Sequence, residues 1–94
     1  MRYPFIPRMV EGAPDDSGVY ILYRGSRVIY IGRADSIQAR LREHLEGFVC
    51  ECSRAATHYS WEIVLQPRQR ELELLQEQRA AGGLPPCNAH LGQA

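Results

Sequence analysis

The sequence has no lysine. All eleven of its basic residues are arginine, whose planar guanidinium matches phosphate oxygens two at a time. A compositional habit explains the absence equally well, so no function is read from it. Net charge is missing too: the arginines are balanced by eleven Asp and Glu, for a formal charge of +0 at pH 7. The composition is therefore not that of a globally basic nucleic-acid or membrane-surface binder. No run approaches the roughly 20 apolar residues of a membrane span, and no membrane partner is expected. The N-terminus lacks the apolar core of a secretory signal, roughly 7–15 residues long, because Pro4 and Pro7 interrupt its few apolar positions. Cysteine is sparse and odd in number, Cys50, Cys52 and Cys87. That argues against a secreted disulfide scaffold, so unpaired thiols in a reducing cytoplasm are expected. Internal repeats, low-complexity tracts and linkers are absent.

What remains is ordinary globular material, 45% hydrophobic and 23% charged over 94 residues. A chain of this size suits one domain and buries roughly two-thirds of its unfolded surface. Its charge is unevenly placed. Between Ile21 and Arg42 stand Arg24, Arg27, Arg33, Arg40 and Arg42 against the single acid Asp35, a distribution that can hide a basic face.

Residues 1–16 carry three prolines and no sustained period, which predicts an extended strap with an apolar foot, ending in the turn chemistry of Ala13 to Gly18. The core is expected over 17–88. Gly18 to Tyr23 and Val28 to Ile31 are rich in β-branched and aromatic residues around Arg24-Gly25-Ser26-Arg27, which reads as an antiparallel hairpin. Alternation puts Tyr20 and Leu22 on one face, with Val19, Ile21 and Tyr23 on the other. After Gly32, Asp35 or Ser36 can cap a helix that Gly47 stops. Ile37, Leu41 and Leu45 form its buried stripe, with Arg40 and His44 one turn apart along the edge. A polar loop over 47–59 carries Cys50, Cys52 and His58. Tyr59 to Leu65 reads as a third strand with Tyr59, Trp61, Ile63 and Leu65 on one face. Arg68 to about Ala81 reads as a late helix, stopped by Gly82-Gly83 and Pro85-Pro86, with Asn88 close behind.

Taken singly, these residues have bland readings: strand tyrosines pack, and helical arginines are solvated. The ordered set is harder to dismiss. Gly18-Val19-Tyr20, Tyr30-Ile31-Gly32, Arg33-Ala34, then Arg40 and His44, with Glu71 or Glu73 on the late helix and Asn88 beyond it, resemble the core motifs of the GIY-YIG nuclease superfamily. The resemblance spans residues 18–88 and implies an α+β fold, a three-stranded antiparallel sheet flanked by helices. It implies a DNA endonuclease that hydrolyses a phosphodiester with one divalent ion, Mg²⁺ or Mn²⁺, held by the helical glutamate. Carried across, Tyr30 is the base for the attacking water and Tyr20 orients water or phosphate. Arg40 binds the scissile phosphate, His44 transfers a proton or contacts phosphate, and Arg33 and Asn88 bind substrate or brace the site.

The chemistry is coherent without the family. A phosphodiester transition state gathers negative charge that a fixed guanidinium and a metal can stabilise. One carboxylate suffices for Mg²⁺ when water and phosphate complete its shell. A phenol with a pKa near 10 serves as base near neutrality only if Arg33, Arg40 or the metal favours its phenolate. Glu71 is preferred over Glu73 because Leu74 and Leu75 follow it at three and four residues, on the buried face. Zinc on Cys50, Cys52, His58 and Cys87 is not expected, since C-x-C departs from the usual C-x₂₋₄-C spacing. Lacking net charge, the chain should bind duplex weakly, so a targeting protein or a branched, damaged or single-stranded DNA would have to direct it. The rival expectation is a non-catalytic module that binds nucleic acid or a protein.

Overall fold

In the computed structural model, residues 1–88 are described. Strand β2 (Gly18–Arg24) is the centre, paired antiparallel with β3 (Arg27–Ala34) on one side and with β4 (His58–Ile63) on the other. The expected hairpin is present, and Gly25 turns it at φ 62°, a left-handed conformation that glycine adopts at little cost. A fourth strand not anticipated from sequence, β1 (Tyr3–Pro4), adds to the outer side of β4 and gives the order β1-β4-β2-β3. The strap therefore extends the sheet instead of merely resting on it. It then turns through the short helix α1 (Pro7–Val10), burying Phe5, Val10 and Ala13.

Helices cover both faces. Helix α2 (Ile37–Leu45) begins where the Ser36 side chain accepts from the Ala39 N–H, and Gly47, at φ 80°, follows its end. Its Ile37 and Leu41 are fully buried with Tyr20, Leu22, Ile29, Tyr30 and Tyr59, while Leu45 packs at the margin. Helix α3 (Pro67–Ala81) covers the opposite face, placing Leu74 on Val19 and Ile31. The predicted alternation is observed for Tyr20 and Leu22 on one face and Val19 and Ile21 on the other, and between Leu22 and Tyr23 the register with β3 shifts. The late strand is shorter than expected. Tyr59 is buried and Trp61 partly so, but Ile63 is 54% exposed and Leu65 lies in open solvent beyond the strand end, because no element covers the sheet there. The loop after α2 folds into a 3₁₀ turn (Cys52–Ala55) that buries Ser53.

Two glycines are dictated by close approach. A Cβ on Gly18 would strike the Glu62 carbonyl oxygen of the neighbouring strand. One on Gly32 would lie 2.6 Å from the Tyr20 Cζ and hydroxyl and 2.8 Å from Tyr30 Cε2. The Gly32→Ala variant is expected to lose about 1–3 kcal/mol, the usual range for overpacking, read as a lower urea midpoint. Wild-type stability in that variant would show that the tyrosine rings can move aside freely.

Candidate active site

Cross-strand partners share a face. Tyr20 pairs with Gly32 and Leu22 with Tyr30, so the two tyrosines stand diagonally on the α2 side with ring centroids 6.0 Å apart. Helix α2 brings His44 against both, at 5.3 Å from Tyr20 and 4.8 Å from Tyr30 between centroids. The Tyr20 hydroxyl lies 2.7 Å from His44 Nε2, and His44 Nδ1 lies 2.8 Å from Ser53 Oγ. His44 is fully buried, not at the helix edge as its spacing suggested. With no exposed surface it makes no contact with solvent in this conformation. Sequence reasoning missed Ser53 altogether.

One turn earlier, Arg40 is partly exposed, with Glu43 as a loose partner at 3.5 Å. It lines an open cleft of about 410 Å³ with Arg33, Asp35, Ser36 and Glu43. Strand β3 is the sheet edge, and α3 approaches it from the other face. There Arg33 Nη1 donates to Glu71 Oε1 at 3.2 Å. The Glu71 side chain is 19% exposed, and its charge reaches Tyr30. Glu73 points elsewhere, taking Arg70 at 3.2 Å and Gln69 at 3.4 Å. Asn88 clasps the outer edge of β3: its Oδ1 accepts from the Ile31 N–H and its Nδ2 donates to the Ile31 carbonyl, each at 2.8 Å. Both amide atoms are thus engaged by the backbone between Tyr30 and Gly32.

Burial pushes the Tyr20 phenol far up, and the neighbouring Tyr30 adds to the shift. Tyr30 is also raised, chiefly by burial, with Arg40 opposing and Glu71 reinforcing. Both hydroxyls therefore keep their protons at neutral pH. His44 is lowered to about 4, first by burial and then by Arg40. Tyr20 faces it from β2, Tyr30 from β3 and Ser53 from the 3₁₀ turn. The unfolded chain protonates this residue near pH 6.5 and the folded one only near pH 4. Stability is consequently full above pH 6.5 and falls as pH drops through that window, by on the order of 3 kcal/mol. Urea midpoints measured from pH 7 to 4 should show the decline, and a His44→Phe variant should show much less of it.

The cysteines correct the sequence reading. Cys52 and Cys87 form a disulfide, and only Cys50 is free. Nothing in the spacing signalled this, because the two halves meet through the fold at a sequence separation of 35. Two of the four residues considered for zinc are thereby consumed. His58 Nδ1 lies 2.8 Å from Thr57 Oγ1.

No family model matches the chain. Over 41 residues, 44% of its length, it is 39% identical to UvrABC system protein C of Aquifex aeolicus (strain VF5). Over a stretch of the same length it is 44% identical to the same protein of Hydrogenobaculum sp. (strain Y04AAS1). The chain spans about 7% of the length of these curated relatives. Among solved structures it is similar to the GIY-YIG N-terminal endonuclease domain of UvrC from Thermotoga maritima. A Tyr-to-Phe point mutant of that domain, bound to the catalytic divalent cation, superposes with TM-score 0.64 and 25% identity, covering 77% of this chain and 87% of that one. The magnesium-bound form gives 0.63 and 25%, covering 79% and 94%. The chain has the antiparallel α+β fold of the GIY-YIG nuclease superfamily and carries its motifs in order, in a form similar to the N-terminal endonuclease domain of UvrC.

Proposed function

We propose that this chain is a divalent-metal-dependent endonuclease domain that hydrolyses a phosphodiester in DNA. The observation that carries the reading is the meeting, at one edge strand, of Tyr20, Tyr30, Arg40 and His44 from the α2 side with Glu71 from the α3 side. The donor set suits a hard cation. Glu71 offers carboxylate oxygens at a partly open position, with Oε1 oriented by Arg33, and Mg²⁺ or Mn²⁺ accepts one carboxylate with water and phosphate as the remaining ligands. When bound, the ion would supply Lewis-acid polarisation of the phosphate and favour ionisation of neighbouring groups.

The protein's own residues do the rest. Arg40, on the cleft wall, is suited to hold the scissile phosphate through two N–H donors as charge builds on its oxygens. Tyr30 is the base for the attacking water. Its raised pKa means that it must lose its proton only after substrate and cation have filled the site. Tyr20, hydrogen-bonded to His44, orients that water. Arg33 orients Glu71, and Asn88 keeps Tyr30 and Gly32 in register. A branched, damaged or single-stranded DNA, or a targeting partner, would compensate for the absent net charge. A DNA substrate fits a cytoplasmic location, where Cys52–Cys87 would be exposed to thiol reductants. No described helix is long and apolar enough to cross a membrane.

The test is nicking of supercoiled plasmid and of flap, junction and single-stranded substrates with Mg²⁺, Mn²⁺ or chelator. Metal-dependent cutting is expected. Retention of DNA in chelator with every substrate left intact would favour the binding module instead.

A further inference from the structure

We propose that Ser53 is a positioning residue that fixes His44 in the tautomer with its proton on Nδ1, so that Nε2 receives the Tyr20 hydroxyl proton in a hydrogen bond. The consequence for catalysis rests on the nuclease reading above; the tautomer itself does not.

The argument is a count of donors along a buried chain. Ser53 is fully buried and has one hydroxyl proton. Its Oγ lies 3.0 Å from the Cys50 carbonyl oxygen, which can only accept, and 2.8 Å from His44 Nδ1. If the serine proton goes to the carbonyl, Nδ1 must carry its own proton and donate to Oγ. Nε2 is then bare, and the Tyr20 O–H at 2.7 Å donates to it. Every polar atom in the series from Tyr20 to Cys50 has a partner of the right kind. In the reverse order Ser53 donates to Nδ1, the Cys50 carbonyl loses its serine proton, and Nε2–H points at the Tyr20 oxygen. The Tyr20 proton would then have to turn to the neighbouring Tyr30 hydroxyl, and the Cys50 carbonyl oxygen would be left without the serine donor it has at 3.0 Å. An unpaired buried polar group costs about 1–3 kcal/mol, so the first order prevails.

The tautomer restricts what Tyr20 can do. With its proton spent on Nε2, its oxygen offers only lone pairs towards the cleft. It can accept a hydrogen from a water or from the Tyr30 hydroxyl, but cannot donate to a phosphate oxygen. Of the two roles considered for Tyr20, holding water or holding phosphate, the hydrogen-bond chain selects water.

Long-range ¹H–¹⁵N correlation of ¹⁵N-labelled protein at neutral pH reads the tautomer directly, whether or not the protein cuts DNA. Wild type and Ser53→Thr should show protonated Nδ1 and bare Nε2 at His44, and Tyr20→Phe should keep that pattern because Ser53 sets it. In Ser53→Ala the Nε2–H form should appear, with nicking reduced about 10–100-fold, the range for lost outer partners of a site, and restored by threonine. An Nε2–H wild type would overturn the proposal. So would a tautomer that changes in Tyr20→Phe, or one unchanged in a folded Ser53→Ala. Should Ser53→Ala fail to fold, the wild-type and Tyr20→Phe spectra still decide. A correct tautomer in a protein that cuts nothing would refute the nuclease reading alone.

Discussion

Replacing Glu71 by Gln, or Arg40 by Ala, is expected to reduce metal-dependent nicking by at least about 10²–10³-fold, the loss seen when one transition-state charge partner is removed from a preorganised site. Replacing Glu73 by Gln should leave cutting within about twofold, a change well under 1 kcal/mol in the barrier. Glu71 is little more than half a turn from Glu73 on the same helix, yet the two have different partners: Arg33 for the first, Arg70 and Gln69 for the second. Gln keeps the volume and one acceptor oxygen but removes the charge that a cation requires. The Arg40 change removes the guanidinium from the cleft wall while keeping the helix, because Ala is the best helix former and Ile37 and Leu41 carry the packing of α2. Initial nicking rates over a Mn²⁺ series separate the two. Excess Mn²⁺ should partly restore a variant that only weakens metal binding, and should not restore Arg40→Ala. Full activity in both variants would remove these residues from the site, and equal losses in Glu71→Gln and Glu73→Gln would remove the distinction between the carboxylates.

The second large effect concerns stability. Closing a loop with a sequence separation of 35 removes chain entropy from the unfolded state, worth about 4 kcal/mol in the loop-closure model. For a domain of this size that is a large share of a total in the range of about 5–15 kcal/mol. The Cys52→Ser/Cys87→Ser double variant should therefore unfold at much lower urea, and wild type should converge on it when treated with a dithiol reductant. Cys50→Ser should not. Thiol titration gives an independent check, with one reactive group per unfolded oxidised chain and three after reduction. Nicking should fall in the double variant as well, since Cys52 precedes Ser53, which holds His44, and Cys87 precedes Asn88, which clasps Ile31. A stability change below about 1 kcal/mol would mean that the loop is already closed by packing.

Both effects show where sequence reading succeeds and where it stops. The hairpin, the capped helix α2 and the extent of α3 were legible because each is written in local periodicity and turn chemistry. Tyr20, Tyr30 and Arg40 were legible because a hairpin and the helix after it bring near neighbours in sequence together. The spacing of Leu74 and Leu75 after Glu71 pointed the same way as the observed contacts, since one helix face is again a local property. What was not legible is non-local. The burial of His44 depends on a 3₁₀ turn nine residues on, in a loop without periodicity. The disulfide joins that turn to the segment that follows α3. The two-residue strand β1 exists only because β4 offers it an edge, and nothing in Tyr3-Pro4 announces a strand. The exposure of Leu65 is the converse case, an apolar pattern that outlasts the surface meant to cover it.

The clasp of Asn88 on Ile31 also has a meaning in time. Polypeptides are made from the N-terminus, and 57 residues separate these two partners, roughly 3–11 s of synthesis at about 5–20 residues per second. For that interval β3 has formed, or can form, with its outer N–H and C=O groups at Ile31 unpaired, the state in which an edge strand is open to pairing with another chain. Tyr30 and Arg40 have emerged by then, but Glu71 follows 41 residues after Tyr30, and Asn88 later still. Each new molecule thus passes from an exposed sheet edge to a guarded one in the same step that completes its site. A chain grown past Arg40 but not yet to Glu71 holds the phenols and the guanidinium without the carboxylate that would bind the cation.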